Sequence, residues 1–193
     1  MTGRRTSLSL ALVAAFGVPA SALAAKTYTS PLKNFTVIVP ALQMGTTIQK
    51  SNDKESGYVA FVGGAGELQR IDYVVVLNVP TDSTALASRL DSVLRGNLAK
   101  SNAALIEQDQ QVIDGTLVSF ASATFPGASA AMNLQTGKRM DAVRGMFALV
   151  KGKYLYVLTA EPGGMFAVVG TPEQRSKNAR RWLGEFLATI TFQ

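Results

Sequence analysis

The chain has 193 residues, with 19 Lys and Arg against 13 Asp and Glu, and it contains neither His nor Cys. The missing His excludes a Ser-His-Asp triad and an imidazole base, and the missing Cys excludes thiolate nucleophiles, zinc–thiolate sites and disulfides. Because 47% of the residues are apolar, the chain can build a core, and its length is typical of a single domain.

Residues 1–25 have the pattern of a cleaved secretory signal peptide. Arg4 and Arg5 give a positive start, an apolar run covers residues 8–18, and residues 22–24 read Ala-Leu-Ala, which a signal peptidase accepts. The apolar run is shorter than the roughly 20 residues of a membrane-spanning helix, and without Cys the chain cannot be acylated as a bacterial lipoprotein. The sequence therefore predicts a product that is free in the periplasm or secreted.

The charge that remains after this segment is modest. Loss of Arg4 and Arg5 leaves 17 basic residues against 13 acidic ones, a net charge of +4. No five like charges stand together, so the sequence does not predict a nucleic-acid partner.

The first half of the remaining chain is predicted to form three strands and one helix. Asp82 or Thr81 caps the helix, in which Leu86, Leu90 and Leu94 recur at helical spacing. Polar residues 41–56 are predicted as a turn between strands. The three predicted strands are residues 34–40, 57–62 and 68–79.

The second half is predicted to form four strands and a final helix. Asp114-Gly115 is a strong hairpin signal between two of the strands. Thr171, Pro172 and Gln174 form the start of a helix with a capping box, and Trp182 is predicted to lie buried at the centre of its apolar stripe. The four predicted strands are residues 104–113, 116–125, 139–150 and 154–160.

These elements predict an α+β fold, a single domain over residues 26–193. Several strands carry apolar residues on both faces, so both faces of the sheet should be covered, and hairpin-length connections favour antiparallel pairing. We therefore expect an α/β/α sandwich: a mainly antiparallel sheet of about six to seven strands, with a helix on each face.

The order of elements resembles the PsbP/Mog-like superfamily. The residues that carry the resemblance are the strand ending in Val-Ile-Val-Pro at residue 40, the strand pair that leads into one long helix, the hairpin Lys-Gly-Lys-Tyr-Leu-Tyr-Val-Leu at residues 151–158, and the aromatic helix from residue 172. The family includes extrinsic subunits of the oxygen-evolving complex, a nuclear import factor that binds a small GTPase, and exported bacterial proteins. The resemblance implies a non-enzymatic binding or accessory role. It implies no metal, because the metal-associated positions of the plant branch include histidines and this chain has none.

Two local patterns have competing interpretations. Residues 63–66 (Gly-Gly-Ala-Gly) follow a strand, but a strand rather than a helix comes next, so a flexible turn is predicted instead of a dinucleotide site. Glu107 and Asp109 share one face of a strand, where they could bind calcium or act as acid and base, or form an ordinary solvated face. No cofactor is predicted.

Two loops are candidates for a partner surface. Met132, Met165 and Phe166 stand among Gly, Ala and Ser, where apolar side chains either dock a partner or fold back over the core. Lys138 and Arg139 could join a basic patch that attracts anionic lipid, polysaccharide or an acidic partner, or could belong to a solvated sheet end. The other members of that patch would be Arg144, Lys151 and Lys153.

The sequence therefore predicts an exported, non-enzymatic binding or accessory protein of the bacterial cell envelope. The predicted partner is an envelope protein, a lipid or a polysaccharide, and the protein itself is expected to be a monomer that does not span the membrane. The alternative is a hydrolase or lyase that uses carboxylate, Ser or Lys chemistry. A pocket with at least two convergent ionisable side chains would favour that alternative.

Overall fold

The structure, a computed structural model, describes residues 26–42, 44–163 and 169–193. The predicted signal peptide lies outside these residues. The described residues form two helices and two β-sheets. In chain order the elements are β1 (Thr27–Thr29), β2 (Phe35–Ile38), β3 (Thr46–Asn52), β4 (Ser56–Gly63), β5 (Leu68–Val75), α1 (Ser83–Lys100), β6 (Ala104–Ile113), β7 (Thr116–Phe125), β8 (Ala142–Lys151), β9 (Tyr154–Glu161), α2 (Pro172–Leu187) and β10 (Ile190–Phe192).

The larger sheet has seven strands in the order β3-β4-β5-β9-β8-β7-β6, and every neighbouring pair is antiparallel. Hairpins build each half of this sheet, and the pairing of β5 with β9 joins the halves. The hairpin between β6 and β7 turns at Asp114 and Gly115, whose φ angles of 47° and 70° suit the tight turn predicted from this pair. The predicted α+β sandwich, with a largely antiparallel sheet and a helix on each face, is confirmed.

Helix α1 covers one face of the larger sheet. It begins where Asp82 accepts a hydrogen bond of 2.7 Å from the backbone N–H of Ala85, so Asp82 is the predicted cap. Its buried leucines pack against β7 and β8 over Ala121, Ala123 and Met146. The buried leucines are Leu90, Leu94 and Leu98. Neither of the two helices in the described residues is long and apolar enough to cross a membrane.

Helix α2 lies on the opposite face, against β8 and β9. Thr171 and Gln174 form the predicted capping box, in which each side chain accepts a hydrogen bond from the other residue's backbone N–H. The stripe that enters the core is centred on Leu183 and Phe186, whereas Trp182 is only half-buried at its edge. Trp182 packs against the core but does not lie at the centre of the stripe as expected, because Leu183 and Phe186 occupy that position.

A second sheet of three strands, in the order β1-β2-β10, packs on the α2 side and was not predicted. The predicted strand at residues 34–40 belongs to this sheet as β2, where Phe35 and Val37 are buried in the core. The seventh strand of the larger sheet is instead β3, which forms within the polar segment predicted as a turn.

Candidate binding surfaces

Helix α1 covers only one half of its face of the larger sheet. It packs against β6, β7 and β8, and the same face of β3, β4 and β5 lies beside it. Along this boundary runs an open groove of about 720 Å³, which we call the α1 groove. Its floor is apolar at Val74, Leu155 and Val157, and its wall is formed by residues of α1 that include Val93 and Asn97.

One ion pair crosses the floor of the α1 groove. Arg70 and Asp72 stand two residues apart on β5, so their side chains share a face. The guanidinium of Arg70 donates from Nε and Nη2 to the two carboxylate oxygens of Asp72, at 2.7 and 2.5 Å. It also lies 4.2 Å from the ring centroid of Tyr58 on the neighbouring strand. The hydrogen bonds to Asp72 raise the pKa of Arg70, so this guanidinium stays charged.

A second ion pair lies at one end of the groove. Arg144 donates from Nε to Glu161 at 2.8 Å and lies 4.8 Å from the ring centroid of Phe125. Glu161 is buried, and this burial raises the pKa of its carboxyl, although the charge of Arg144 opposes the rise. The charge of Arg144 therefore stabilises the Glu161 carboxylate at a position that is shielded from water.

The α1 groove thus contains several ionisable side chains, but its carboxylates are occupied. Asp72 binds Arg70, and Asp53 accepts hydrogen bonds from the backbone of Glu55 and Ser56 in a turn. Arg144, which also lines the groove, binds the buried Glu161 beneath it. Within the described residues, no three His, Cys, Asp or Glu side chains are grouped closely enough to hold a metal ion. The groove therefore presents apolar side chains beside charges that are largely paired.

Glu107 and Asp109 do share one face of β6, as predicted, but both bind groups of α2. Glu107 accepts a hydrogen bond of 2.7 Å from the hydroxyl of Ser176, and Asp109 lies 2.6 Å from Nη2 of Arg180. Arg180 in turn lies 4.0 Å from the ring centroid of Phe120. The two carboxylates lie on an exposed strand face, as the simpler interpretation predicted, and they also tie the edge strand β6 to α2.

Between β7 and β8 the chain forms a small hairpin, residues 129–140, which we call the finger. Its two arms are joined by backbone hydrogen bonds of 2.8 to 3.0 Å, and Met132 pairs with Arg139. At the tip, the side chain of Asn133 accepts hydrogen bonds from the backbone of Gln135 and Thr136. The finger is anchored at its base by Ser129, which is buried.

The finger carries three of the five residues predicted as a partner surface. Met132 is 55% exposed, and Lys138 and Arg139 are exposed on the returning arm. Both cations line a shallow depression of about 310 Å³ together with Arg175 of α2. Met165 and Phe166, the other two predicted residues, lie outside the described residues.

The wider basic patch considered from the sequence does not form. Lys151 and Lys153 lie at the far end of the β8–β9 hairpin, which is about 30 Å from the start of β8 for a ten-residue strand. Arg144 faces the α1 groove, where it binds Glu161. Lys138 and Arg139 are therefore separated from these cations, and their nearest charged neighbours in the depression are Arg175 and Asp141.

Sequence reasoning missed Leu134 and the groove residues. Leu134, at the tip of the finger, is 98% exposed. The sequence feature that could have indicated this is a large apolar residue alone between the polar residues Asn133 and Gln135. Arg70 and Asp72 showed the same two-residue spacing that drew attention to Glu107 and Asp109. The groove itself had no local signal, because it arises from where α1 lies across the sheet.

Comparison with known proteins identifies the fold. No family model and no curated protein matches the chain. Among solved structures, cyanobacterial PsbP (CyanoP) from Synechocystis sp. PCC 6803 matches with a TM-score of 0.53 and 11% identity, covering 92% of this chain and 99% of that one. The Ran-binding protein Mog1p from Saccharomyces cerevisiae matches with a TM-score of 0.50 and 12% identity, covering 86% and 94%.

The chain has the PsbP/Mog-like fold. The resemblance predicted from the order of elements is thus confirmed at the level of the fold. In this PsbP/Mog-like chain, the α1 groove and the finger are two candidate surfaces for a partner.

Proposed function

We propose that the chain is an exported, non-enzymatic binding protein of the bacterial cell envelope, and that it holds a partner protein in the α1 groove. The observation that carries this proposal is that both carboxylates lining the groove are occupied. Asp72 binds Arg70, and Asp53 accepts hydrogen bonds from the backbone of Glu55 and Ser56, whereas a general base needs a carboxylate free to reach its substrate. This pairing favours binding over the hydrolase or lyase alternative.

The dimensions of the groove suit an amphipathic helix of the partner. Strands lie about 4.8 Å apart, so the uncovered strands β3, β4 and β5 span about 10 Å, which is the diameter of a helix. Val74, Leu155 and Val157 would receive the apolar stripe of such a helix, and Asn97 and Lys100 of α1 lie where its polar side would pass. A protein partner also agrees with the description of Mog1p as a Ran-binding protein.

The predicted loop surface remains a second proposal for partner contact. Met132, Lys138 and Arg139 are exposed on the finger, which is the requirement for that role. We propose that Met165 and Phe166, which lie outside the described residues, belong to the same surface.

Site-specific photo-crosslinking in the source bacterium tests the groove. A benzophenone amino acid replaces Val74, which lies in the groove and is 39% exposed, and the matched control replaces Val112, which is 69% exposed on the edge strand β6. We expect a discrete protein adduct from position 74 and none from position 112. Adducts of equal yield from both positions, or no adduct from position 74, would overturn the assignment of the groove.

A further inference from the structure

The finger holds an apolar side chain away from the core. Leu134 is 98% exposed, although hydrogen bonds fix the backbone on both sides of it. The N–H of Asn133 donates to the carbonyl oxygen of Lys138 at 2.8 Å, and the N–H of Gly137 donates to that of Asn133 at 2.8 Å. A tight ladder of this kind prevents the tip from folding back. The exposure of Leu134 is therefore a property of the folded finger.

The same finger brings cations to the base of its tip. Lys138, Arg139 and Arg175 line the depression beside it, where Asp141 is the one carboxylate among the described lining residues. That carboxylate accepts a hydrogen bond of 2.9 Å from the backbone N–H of Gly127. The backbone carbonyl oxygen of Asp141 accepts a separate hydrogen bond from the guanidinium of Arg175. The depression consequently has an excess of positive charge directly behind an apolar tip.

We propose that the finger docks on an anionic lipid bilayer, with Leu134 and Met132 entering the interface and the exposed cations Lys138 and Arg139 contacting lipid headgroups. This inference rests on the proposal that the finger is a contact surface, and it names the partner. An apolar tip backed by cations is complementary to a bilayer, which presents a negative surface above an apolar layer.

The shape of the finger distinguishes a bilayer from other partners. A protein partner would have to supply a pocket of its own to receive Leu134, whereas a fluid interface admits a protruding leucine without one. An anionic polysaccharide would engage the cations without any need for Leu134. The contribution of Leu134 is therefore the deciding measurement.

Vesicle flotation tests this proposal with the purified exported protein. Vesicles of phosphatidylcholine alone are compared with vesicles that contain about one third phosphatidylglycerol. We expect binding to the anionic vesicles only, and weaker binding as salt rises. Leu134→Ser should weaken binding several-fold, and Lys138→Gln with Arg139→Gln should weaken it by about fivefold for each cation removed.

Two control variants match these changes at the other end of the sheet. Leu77→Ser removes a leucine that is 91% exposed before α1, and Lys151→Gln with Lys153→Gln removes the same number of charges; both should bind vesicles as the unaltered protein does. Loss of binding in the controls equal to that in the finger variants would overturn the proposal, as would unchanged binding of Leu134→Ser. Crosslinking from position 74 tests the groove separately, so the two proposals can fail independently.

Discussion

Arginine side chains are used in one recurring arrangement. At three places a guanidinium lies over an aromatic ring and binds a carboxylate at its edge, which Lys cannot reproduce because it lacks the planar, forked geometry. The carboxylates in these sets range from the buried Glu161 to the exposed Asp109. The three sets are Arg70 with Asp72 and Tyr58, Arg144 with Glu161 and Phe125, and Arg180 with Asp109 and Phe120.

The buried member of these sets should make stability depend on pH. Burial raises the pKa of Glu161 above its usual 4.5, so the folded state binds this proton more tightly than the unfolded state. The stabilisation from this group is complete below pH 4.5 and is lost as pH rises through the raised pKa. We expect the free energy of unfolding of the unaltered protein, relative to Glu161→Gln, to fall with rising pH in urea denaturation.

Glu173 provides a control of opposite sign. A hydrogen bond from the Thr171 hydroxyl, and then one from its own backbone N–H, lower the pKa of Glu173. Its stabilisation is therefore present above the usual pKa and is lost as pH falls through the lowered one. The stability of the unaltered protein relative to Glu173→Gln should rise with pH. The same slope for both variants would contradict the assignment to Glu161.

At the level of elements, the sequence predicted those helices and strands whose ends are marked by a turn or a helix cap. The strands β6 and β7 were predicted with their observed bounds because Asp114-Gly115 fixes their turn, and α2 because its capping box fixes its start. The strand β3 was missed because its residues are polar and it lies at the sheet edge, where most of its side chains are exposed. The strands β1 and β10 have three residues each and form only by pairing with β2.

The contact between α2 and β8 depends on a residue without a side chain. A Cβ atom at Gly145 would lie 2.8 Å from Cδ1 of Leu183 and 3.2 Å from Cβ of Ala179, so α2 sits directly on the backbone of β8. Gly145→Ala should lower the free energy of unfolding by about 1–3 kcal/mol, because the helix must shift away. Urea denaturation at 25 °C measures this change.

Gly184 is the matched control for that substitution. It lies within α2, and a Cβ atom there would meet nothing within 4 Å. Gly184→Ala should therefore raise stability by about 0.5–1 kcal/mol, because alanine is the better helix former. A Gly145→Ala variant as stable as the unaltered protein would show that α2 packs less closely than described.

At the scale of the whole molecule, the fold class followed from the count and pattern of elements, but the surfaces did not. The α1 groove exists because α1 lies over β6, β7 and β8 rather than over the middle of the sheet, and no pattern within α1 encodes that position. The depression beside the finger likewise depends on Arg175 meeting residues more than thirty positions earlier.

The predicted export can be checked on the whole protein. Cleavage after residue 24 or 25 leaves the chain beginning at Ala25 or Lys26, which keeps β1 intact because that strand begins at Thr27. Mass spectrometry of the periplasmic or secreted product should therefore show one of these two N-termini. Recovery of residues 1–20 attached to the protein in a membrane fraction would contradict the predicted cleavage.

The strand β10 determines when the three-stranded sheet can be completed. Residues of β10 pair with β2, where Ile190 lies opposite Val37, and Phe192 packs on Tyr156 with ring centroids 4.7 Å apart. Contacts between residues so distant in sequence form slowly. When the chain leaves a ribosome N-terminus first, β2 therefore waits without this partner until residues 190–192 are free, whereas all seven strands of the larger sheet precede them. The three-stranded sheet is thus the part of the fold that is completed after the larger sheet.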